Sequence, residues 1–427
     1  MKNILELITE SNKLKDVPRT GWVLMSIKNP ESVAEHILRT TIASWLLAEK
    51  KGLNVVRAMK IALVHDLSEV YAGDSPPFLY YPNNLPSKRR GKEDILMRWV
   101  RLSQKEKARR SKIKHARERK SLLKLVKNVD PAVKKEILSY WMDYEKKISK
   151  EAKFVKQVDR IELLIQSIEY FGTDSLRSGT SWWEGTHEIV EDPMLLDLLE
   201  VIKRKFYGAK IKSFKDQKEL EGILDFILEI GKLKSTPRLY WKIRGINKNV
   251  ETVAEHMFTV GLMAWILGIH SGPKCNSGKL LKMAIAHELS AIYTGDTTPY
   301  DRFLPKDEAK RKEVLKKWPR LSSKQKQKGY VKDFVLEKKA MEAATRGLKP
   351  ALRRELLRLW TEYRTRSTME GRFVSQLNAL AVLLEAIDYE KHHKSFSSVP
   401  IWEWNMEMSD SAFSRELMDE IKKKFYK

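Results

Sequence analysis

The chain repeats itself. Arg19-Thr-Gly-Trp22 recurs as Arg238-Leu-Tyr-Trp241, Trp141-Met-Asp-Tyr144 as Trp360-Thr-Glu-Tyr363, Phe154-Val-Lys-Gln157 as Phe373-Val-Ser-Gln376, and Lys205-Phe206-Tyr207 as Lys424-Phe425-Tyr426. Each pair is displaced by the same 219 residues, as in 238 − 19 = 219. Matches this widely spaced in one constant register mean two copies of one fold, with small compensating insertions near the middle. The expected division is a first domain at 1–209, a polar, lysine-rich linker at 210–219 and a second domain at 220–427. A linker of that length keeps the two halves close.

Each copy reads as helix throughout. Ile4, Leu5, Leu7 and Ile8 make a first short helix that Asp16-Val-Pro18 ends. Ser32-Val-Ala-Glu35 is a capping box ahead of an apolar run to Leu47, and Thr252-Val-Ala-Glu255 repeats it. Asn54 caps a helix expected to run unbroken to Gly73, Asp130-Pro131 opens another, and a long one spans Ala152 to Tyr170. No segment alternates with period two, so the fold class is all-α: two tandem helical bundles. The single cysteine, Cys275, excludes an intrachain disulfide framework and any cysteine-cluster zinc site, which fits a reducing compartment. No stretch approaches twenty uninterrupted apolar residues, and acids interrupt the first apolar run, so the expectation is a cytoplasmic protein with neither membrane span nor signal peptide.

Chemistry concentrates in Ala62-Leu-Val-His65-Asp66-Leu-Ser-Glu69-Val-Tyr-Ala-Gly73-Asp74. On a helix His65, Asp66 and Glu69 point toward one side. A histidine and an aspartate amid Ile61, Leu63, Val64 and Leu67 are costly to bury unless an ion or hydrogen bonds satisfy them. Two further groups qualify as ligands: His36, which the capping box puts in the first turn of its helix, and Asp159, which interrupts an apolar helix face. Two imidazoles with two carboxylates suit one divalent ion, Mn, Co, Fe, Zn, Ni or Mg, without dictating which.

The order His36, His65-Asp66, Asp159 resembles the HD-domain metal-dependent phosphohydrolases. Arg19-x-x-Trp22, Ser32-Val-Ala-Glu35-His36, Leu63-Val-His65-Asp66-x-x-Glu69, Gly73-Asp74 and Lys153-Phe-Val-Lys-Gln-x-Asp159 are similar to their 5'-deoxynucleotidase branch across residues 13 to 170. The resemblance implies His36, His65, Asp66 and Asp159 as metal ligands and a nucleoside 5'-monophosphate as substrate. It further implies that Glu69 positions a water or protonates the departing oxygen, with Asp74 on the sugar hydroxyl or the water. Arg19 and Trp22 would meet the nucleotide, and Lys153 and Lys156 could neutralise its phosphate. Guanosine tetraphosphate hydrolases of the same superfamily carry HD-x-x-E-D, and Val70 at the last of those positions speaks against an alarmone substrate.

Alignment of the copies pairs His36 with His256, His65 with His287, Asp66 with Glu288, Glu69 with Ala291, Asp74 with Asp296 and Asp159 with Asn378. The second half has lost acids that catalysis needs and reads as a degenerate copy, serving as an intramolecular partner in a monomer or as a regulatory nucleotide-binding domain. The formal net charge of +25 admits a rival class, a nucleotide or nucleic-acid binding protein without turnover. Residues 88–127 carry 17 basic against 4 acidic side chains, on what reads as a pair of basic amphipathic helices. The counterpart stretch 307–346 has 13 against 6, which marks a shared compositional habit more than a dedicated binding face.

Overall fold

The computed structural model describes residues 1–75, 103–172, 180–210, 212–270, 275–297, 322–409 and 411–426, with a few isolated positions between 305 and 314. Among them the fold is all-α, and the only extended pairings are two isolated bridges, Pro18 with Ser32 and Pro237 with Thr252. The first of the two expected basic helices falls largely outside the described residues. The second is Gln104–Leu125, capped by Ser103.

Two compact units divide the chain, Met1–Leu228 and Glu229–Lys427. The division falls inside helix Gln217–Gly231, later than the sequence boundary at 210–219. That helix, the counterpart of Lys2–Ser11 by repeat position, is tied to the first unit by Lys50 Nζ on Glu219 Oε2 at 2.5 Å and Lys205 Nζ on Asp225 Oδ1 at 2.8 Å.

The first unit is built around helix Val33–Lys51. Ser32 Oγ accepts from Glu35 N at 3.3 Å while Glu35 Oε2 accepts from Ser32 N at 2.8 Å, the reciprocal capping box, and Gly52 at φ 72° ends the helix. Every residue from Val33 to Ala48 is buried. Its neighbours are Val55–Val64, capped by Asn54, and Lys150–Phe171, capped by Ser149. Leu38, Ile42, Trp45, Met59, Ile61 and Leu63 are fully enclosed, each contributing ~1.5–3 kcal/mol by leaving water. A helix buried all round has no wet face for its polar residues. His36 and Arg39 must therefore find partners inside the bundle, and those partners build the site.

The helix carrying His65 is interrupted, not continuous to Gly73. Val55–Val64 ends, and Glu69–Ala72 follows after tighter turns marked by Leu67 N on Val64 O and Glu69 N on Asp66 O. The cause is local: His65 Nδ1 bonds Ala62 O at 2.6 Å, occupying the carbonyl that the backbone N–H of Asp66 would use in a continued helix. The second unit repeats the device, His287 Nδ1 on Ala284 O at 2.7 Å between helices Ser277–Ala286 and Ala291–Thr294. Its central helix, Val253–His270, is the one described helix long and apolar enough to cross a membrane, and 83% of its apolar window is buried inside the bundle.

Candidate metal and substrate site

Four side chains from three segments converge in the first unit. His36 Nε2 lies 3.1 Å from Asp159 Oδ1 and 3.3 Å from His65 Nε2, and His65 Nε2 lies 3.2 Å from Asp66 Oδ2. The donor atoms of His36, His65 and Asp159 are all within 4.8 Å of one another. Their far sides fix the tautomers. His65 Nδ1 faces the Ala62 carbonyl and His36 Nδ1 faces Glu162 Oε2 at 2.5 Å, and both partners can only accept. Both rings therefore carry a proton on Nδ1 and turn Nε2 toward the cluster, where a divalent cation that displaces the second proton of His36 would meet two ring nitrogens. Burial and Arg19 lower the proton affinity of His36, but Glu162 and Asp159 outweigh them and raise its pKa to about 9. Asp66, despite burial, is held far below the usual carboxylate range by His65, Arg19 and His36, and Asp159 likewise by the two histidines.

Glu69 is the counterpoint. It is 1% exposed and neither carboxyl oxygen has a hydrogen-bond partner. Among the described residues the closest cations, Arg19 Nη1 and Lys114 Nζ, each stand 3.9 Å away. Burial together with Asp66 and Asp74 pushes its pKa well above the usual range, which favours its acid form, whereas the pKa of neighbouring Asp66 is driven down. Arg19 lies across the group, its Nη1 2.9 Å from Asp66 Oδ2 and 3.7 Å from Asp74 Oδ1. Asp74 Oδ2 accepts from Thr20 N at 2.7 Å, which pins the segment after Gly73 against the Arg19 turn.

Two expected residues sit elsewhere. Trp22 is fully buried, its Nε1 donating to Glu31 Oε1 at 2.9 Å, with Tyr170 and Trp182 packed at 5.2 and 5.0 Å between ring centroids. It is part of the core behind Arg19 and offers no face to a base. Lys153 is exposed on helix Lys150–Phe171, whereas Lys156, one turn before Asp159, donates to Tyr144 Oη at 2.9 Å, and Tyr144 in turn donates to Asp159 Oδ2 at 2.7 Å.

Sequence reasoning missed four groups. Glu162 accepts from Arg39 Nε at 2.8 Å as well as binding His36, and Arg39 also donates to Glu169 at 2.6 Å and Gln166 at 2.8 Å. The signal for Glu162 was there, a second acid one turn after Asp159 on an apolar helix face. Tyr144 lay in the Trp141-Met-Asp-Tyr144 repeat motif. Lys114 had no signal, being one lysine in a basic run, yet it reaches inward to Glu118 Oε1 at 3.1 Å. Other charges of its helix are paired as well, Arg109 and Arg110 with Glu106, Lys107 with Glu188 and His115 with Glu145.

The second unit keeps the frame and exchanges the chemistry. His256 Nε2 meets Asn378 Oδ1 at 2.7 Å, Arg238 Nη1 pairs with Asp296 Oδ1 at 3.1 Å, and Leu239 N donates to Asp296 Oδ2 at 2.6 Å. Arg39 and Glu162 become Thr259 and Ala381, Lys114 becomes Asp333, and Glu69 becomes Ala291. The stacking of Phe334 on Trp360, where the first unit stacks His115 on Trp141, fixes that register.

Two histidines and two aspartates in this order on a helical bundle define a class, and the chain belongs to the HD domain family, which it matches over residues 11–189 and again over 230–403. Among its relatives is the 5'-deoxynucleotidase HDDC2 of Danio rerio, 35% identical over 170 residues that span 40% of this chain and 70% of that protein. The human 5'-deoxynucleotidase HDDC2 is 32% identical over 169 residues, 40% of this chain and 69% of that one. A third, the 5'-deoxynucleotidase hdd1 of Schizosaccharomyces pombe, is 27% identical over 210 residues, 48% of this chain and 91% of that protein. A solved structure of a conserved hypothetical protein from Pyrococcus furiosus aligns with a TM-score of 0.32 at 27% identity, covering 47% of this chain and 99% of that one.

Proposed function

We propose that the first unit is a metal-dependent phosphohydrolase that releases phosphate from deoxyribonucleoside 5'-monophosphates, and that it is the chain's one catalytic centre. The observation that carries this reading is the buried Glu69, its carboxyl oxygens without hydrogen-bond partners, beside the convergent imidazoles and carboxylates of His36, His65, Asp66 and Asp159. The names of the relatives supply the substrate class.

His36, His65, Asp66 and Asp159 would hold the divalent ion, which polarises a phosphoryl oxygen and lowers the pKa of a bound water. The protein's own groups do the rest. Arg19 offers a guanidinium to the phosphate, with Lys156 and Lys114 as further cations. Tyr144 and Glu162 fix Asp159 and His36. Glu69 donates its proton to the sugar oxygen as the bond from that oxygen to phosphorus breaks, while a water oxygen bonds to phosphorus and a proton from that water returns to Glu69, so one water is consumed, the acid is restored, and a nucleoside and inorganic phosphate result. Asp74 is placed to align the water or the sugar hydroxyl.

The second unit lacks the proton donor and one ligand carboxylate, which argues for one centre. Two copies of one fold in a chain support a monomer, measurable as the mass of a single chain by light scattering. The decisive assay is phosphate release from a panel of monophosphates with Mn, Co, Mg and Zn, on the wild type and on Asp66→Ala. Deoxyribonucleoside 5'-monophosphates should be turned over by the former alone. Release that survives in Asp66→Ala would put a second centre in residues 229–427.

A further inference from the structure

One arginine of the first unit has donors that no acid answers. Arg160 follows Asp159 on helix Lys150–Phe171 and lies four residues after Lys156, so Lys156, Asp159 and Arg160 share one ridge of that helix. The side chain is half-buried, and among the described residues its guanidinium makes no ion pair and one hydrogen bond, from Nε to the Gly185 carbonyl at 3.4 Å. The acids whose charge acts on it are engaged elsewhere, Asp159 with His36 and Tyr144, and Glu188 with Lys107 and Gln104. Arg39, by contrast, is answered by Glu162, Glu169 and Gln166. A guanidinium does not give up its charge in a protein, so the two terminal nitrogens of Arg160 keep a positive charge and uncommitted N–H groups beside Asp159.

The neighbouring helix leaves room for that fork. Helix Thr180–His187 sets Trp182 against Trp22, 5.0 Å between ring centroids, and three residues later presents the buried Gly185 to Arg160. A Cβ on Gly185 would stand 2.9 Å from Arg160 Nη2, so a side chain there turns the guanidinium away. The second unit changes both members together. In the 219-residue register, which Trp183-Glu184 and Trp402-Glu403 share, Arg160 becomes Ala379 and Gly185 becomes Trp404. Trp404 is 44% exposed, so its indole does not replace the arginine as core. The pair is thus lost in the copy that also lost Glu69 and Asp159. We propose that Arg160 is a substrate-binding residue of the first unit, its fork receiving oxygens of the nucleotide's phosphate group and of the inorganic phosphate released, with Gly185 keeping the space it needs. The inference rests on the reading of this site as one for phosphate monoesters. Arg19 is shared with Asp66 and Asp74, whereas Arg160 has its charge to give, and a guanidinium fork matches two phosphate oxygens at once.

The test is calorimetric titration of the full chain with inorganic phosphate, manganese present, beside KM and kcat for a deoxyribonucleoside 5'-monophosphate. Arg160→Ala installs the residue that the second unit carries, so the fold should hold, with its denaturant midpoint close to that of the wild type. Its phosphate affinity should fall by about 10-fold or more, and KM should rise by more than kcat falls. Gly185→Ala should weaken phosphate in the same direction by displacing the guanidinium. The double variant should bind phosphate no more weakly than Arg160→Ala alone, since the glycine acts only through the arginine. Wild-type phosphate affinity in either single variant, strictly additive losses, or no phosphate binding by the wild type would overturn the proposal. A chain that binds phosphate through Arg160 yet hydrolyses none of the monophosphates keeps this inference and loses the substrate reading. Turnover with unchanged KM and phosphate affinity in Arg160→Ala does the reverse.

Discussion

Glu162→Gln removes one charge from the middle of the first unit and leaves the side chain's shape. In the wild type the buried carboxylate receives His36 Nδ1–H at 2.5 Å and Arg39 Nε–H at 2.8 Å. A hydrogen bond to a charged group contributes ~1.5–3 kcal/mol, so the two together are worth about 3–6 kcal/mol. Glutamine restores one as a neutral bond of ~0.5–1.5 kcal/mol, and its NH2 meets the other N–H donor against donor. Arg39 keeps Glu169 and Gln166, which limits the damage. The metal-free protein should therefore lose roughly 3 kcal/mol, read as a lower denaturant midpoint at unchanged slope. The second effect is chemical. Without the carboxylate the Nδ1 proton of His36 is no longer fixed, Nε2 is a poorer ligand, and divalent affinity should fall by about 10- to 100-fold in a chelator competition titration. A variant with a lowered midpoint but a metal affinity within about twofold of wild type would refute the orienting role, leaving Glu162 a structural partner of Arg39 alone.

Glu69→Gln should keep bound metal yet slow phosphate release by roughly 10²-fold or more, and should erase the loss of activity that the wild type shows as pH rises through the raised pKa of this acid. Near wild-type turnover in that variant would assign proton transfer elsewhere, with Asp74 the next candidate. For His36 the folded pKa of about 9 lies above the unfolded value near 6.5, so it stabilises the metal-free protein fully below pH ~6.5, and that contribution is lost as pH rises toward 9. Denaturant midpoints of stripped protein across that window should fall, while divalent affinity rises because the ion competes with the proton, and a flat profile for both would remove His36 from the cluster. Lys114→Met deletes the cation 3.9 Å from Glu69, and KM for a monophosphate should rise about 10-fold, or ~1.4 kcal/mol, with a smaller change in kcat. Unchanged KM would confine Lys114 to its pair with Glu118.

The features legible in the sequence are those with a local cause. Ser32 and Glu35, Asn54, Ser149 and the Asp130-Pro131 start all cap helices because their side-chain oxygens satisfy backbone N–H groups within three residues, and no tertiary context changes that. The convergence of His36, His65, Asp66 and Asp159 was legible because histidine and aspartate on apolar faces have few other reasons to be there. What stayed hidden depends on direction. The apolar rhythm runs straight through His65, so periodicity predicts one helix, and only the side chain's bond to Ala62 O ends it. Lys153 and Lys156 look alike in sequence, but they lie six and three residues before Asp159 on a helix of 3.6 residues per turn, so Lys156 shares the site's face while Lys153 is turned to solvent. Trp22, beside Arg19 in the motif, points the other way, into the cluster of Tyr170 and Trp182.

The second unit shows how these buried side chains can be exchanged without giving up the fold. A buried charge deprived of its partner costs ~3–5 kcal/mol, a large part of a domain's stability, so Arg39 or Glu162 cannot be lost singly at small cost. Thr259 and Ala381 replace them together, and no buried ion is stranded. Asp159 changes by a different route to the same end. In the first unit Tyr144 donates its hydroxyl proton to the carboxylate of Asp159, and in the second Tyr363 accepts one from the amide of Asn378. The hydrogen bond survives with its direction reversed, since a tyrosine hydroxyl serves either role. Removing Glu69 is easier still, because its carboxyl oxygens bond to nothing that Ala291 would leave unpaired. The group proposed as proton donor is thus the one the fold needs least, whereas both histidines are retained in both copies, His65 and His287 each with Nδ1 on the carbonyl three residues before it.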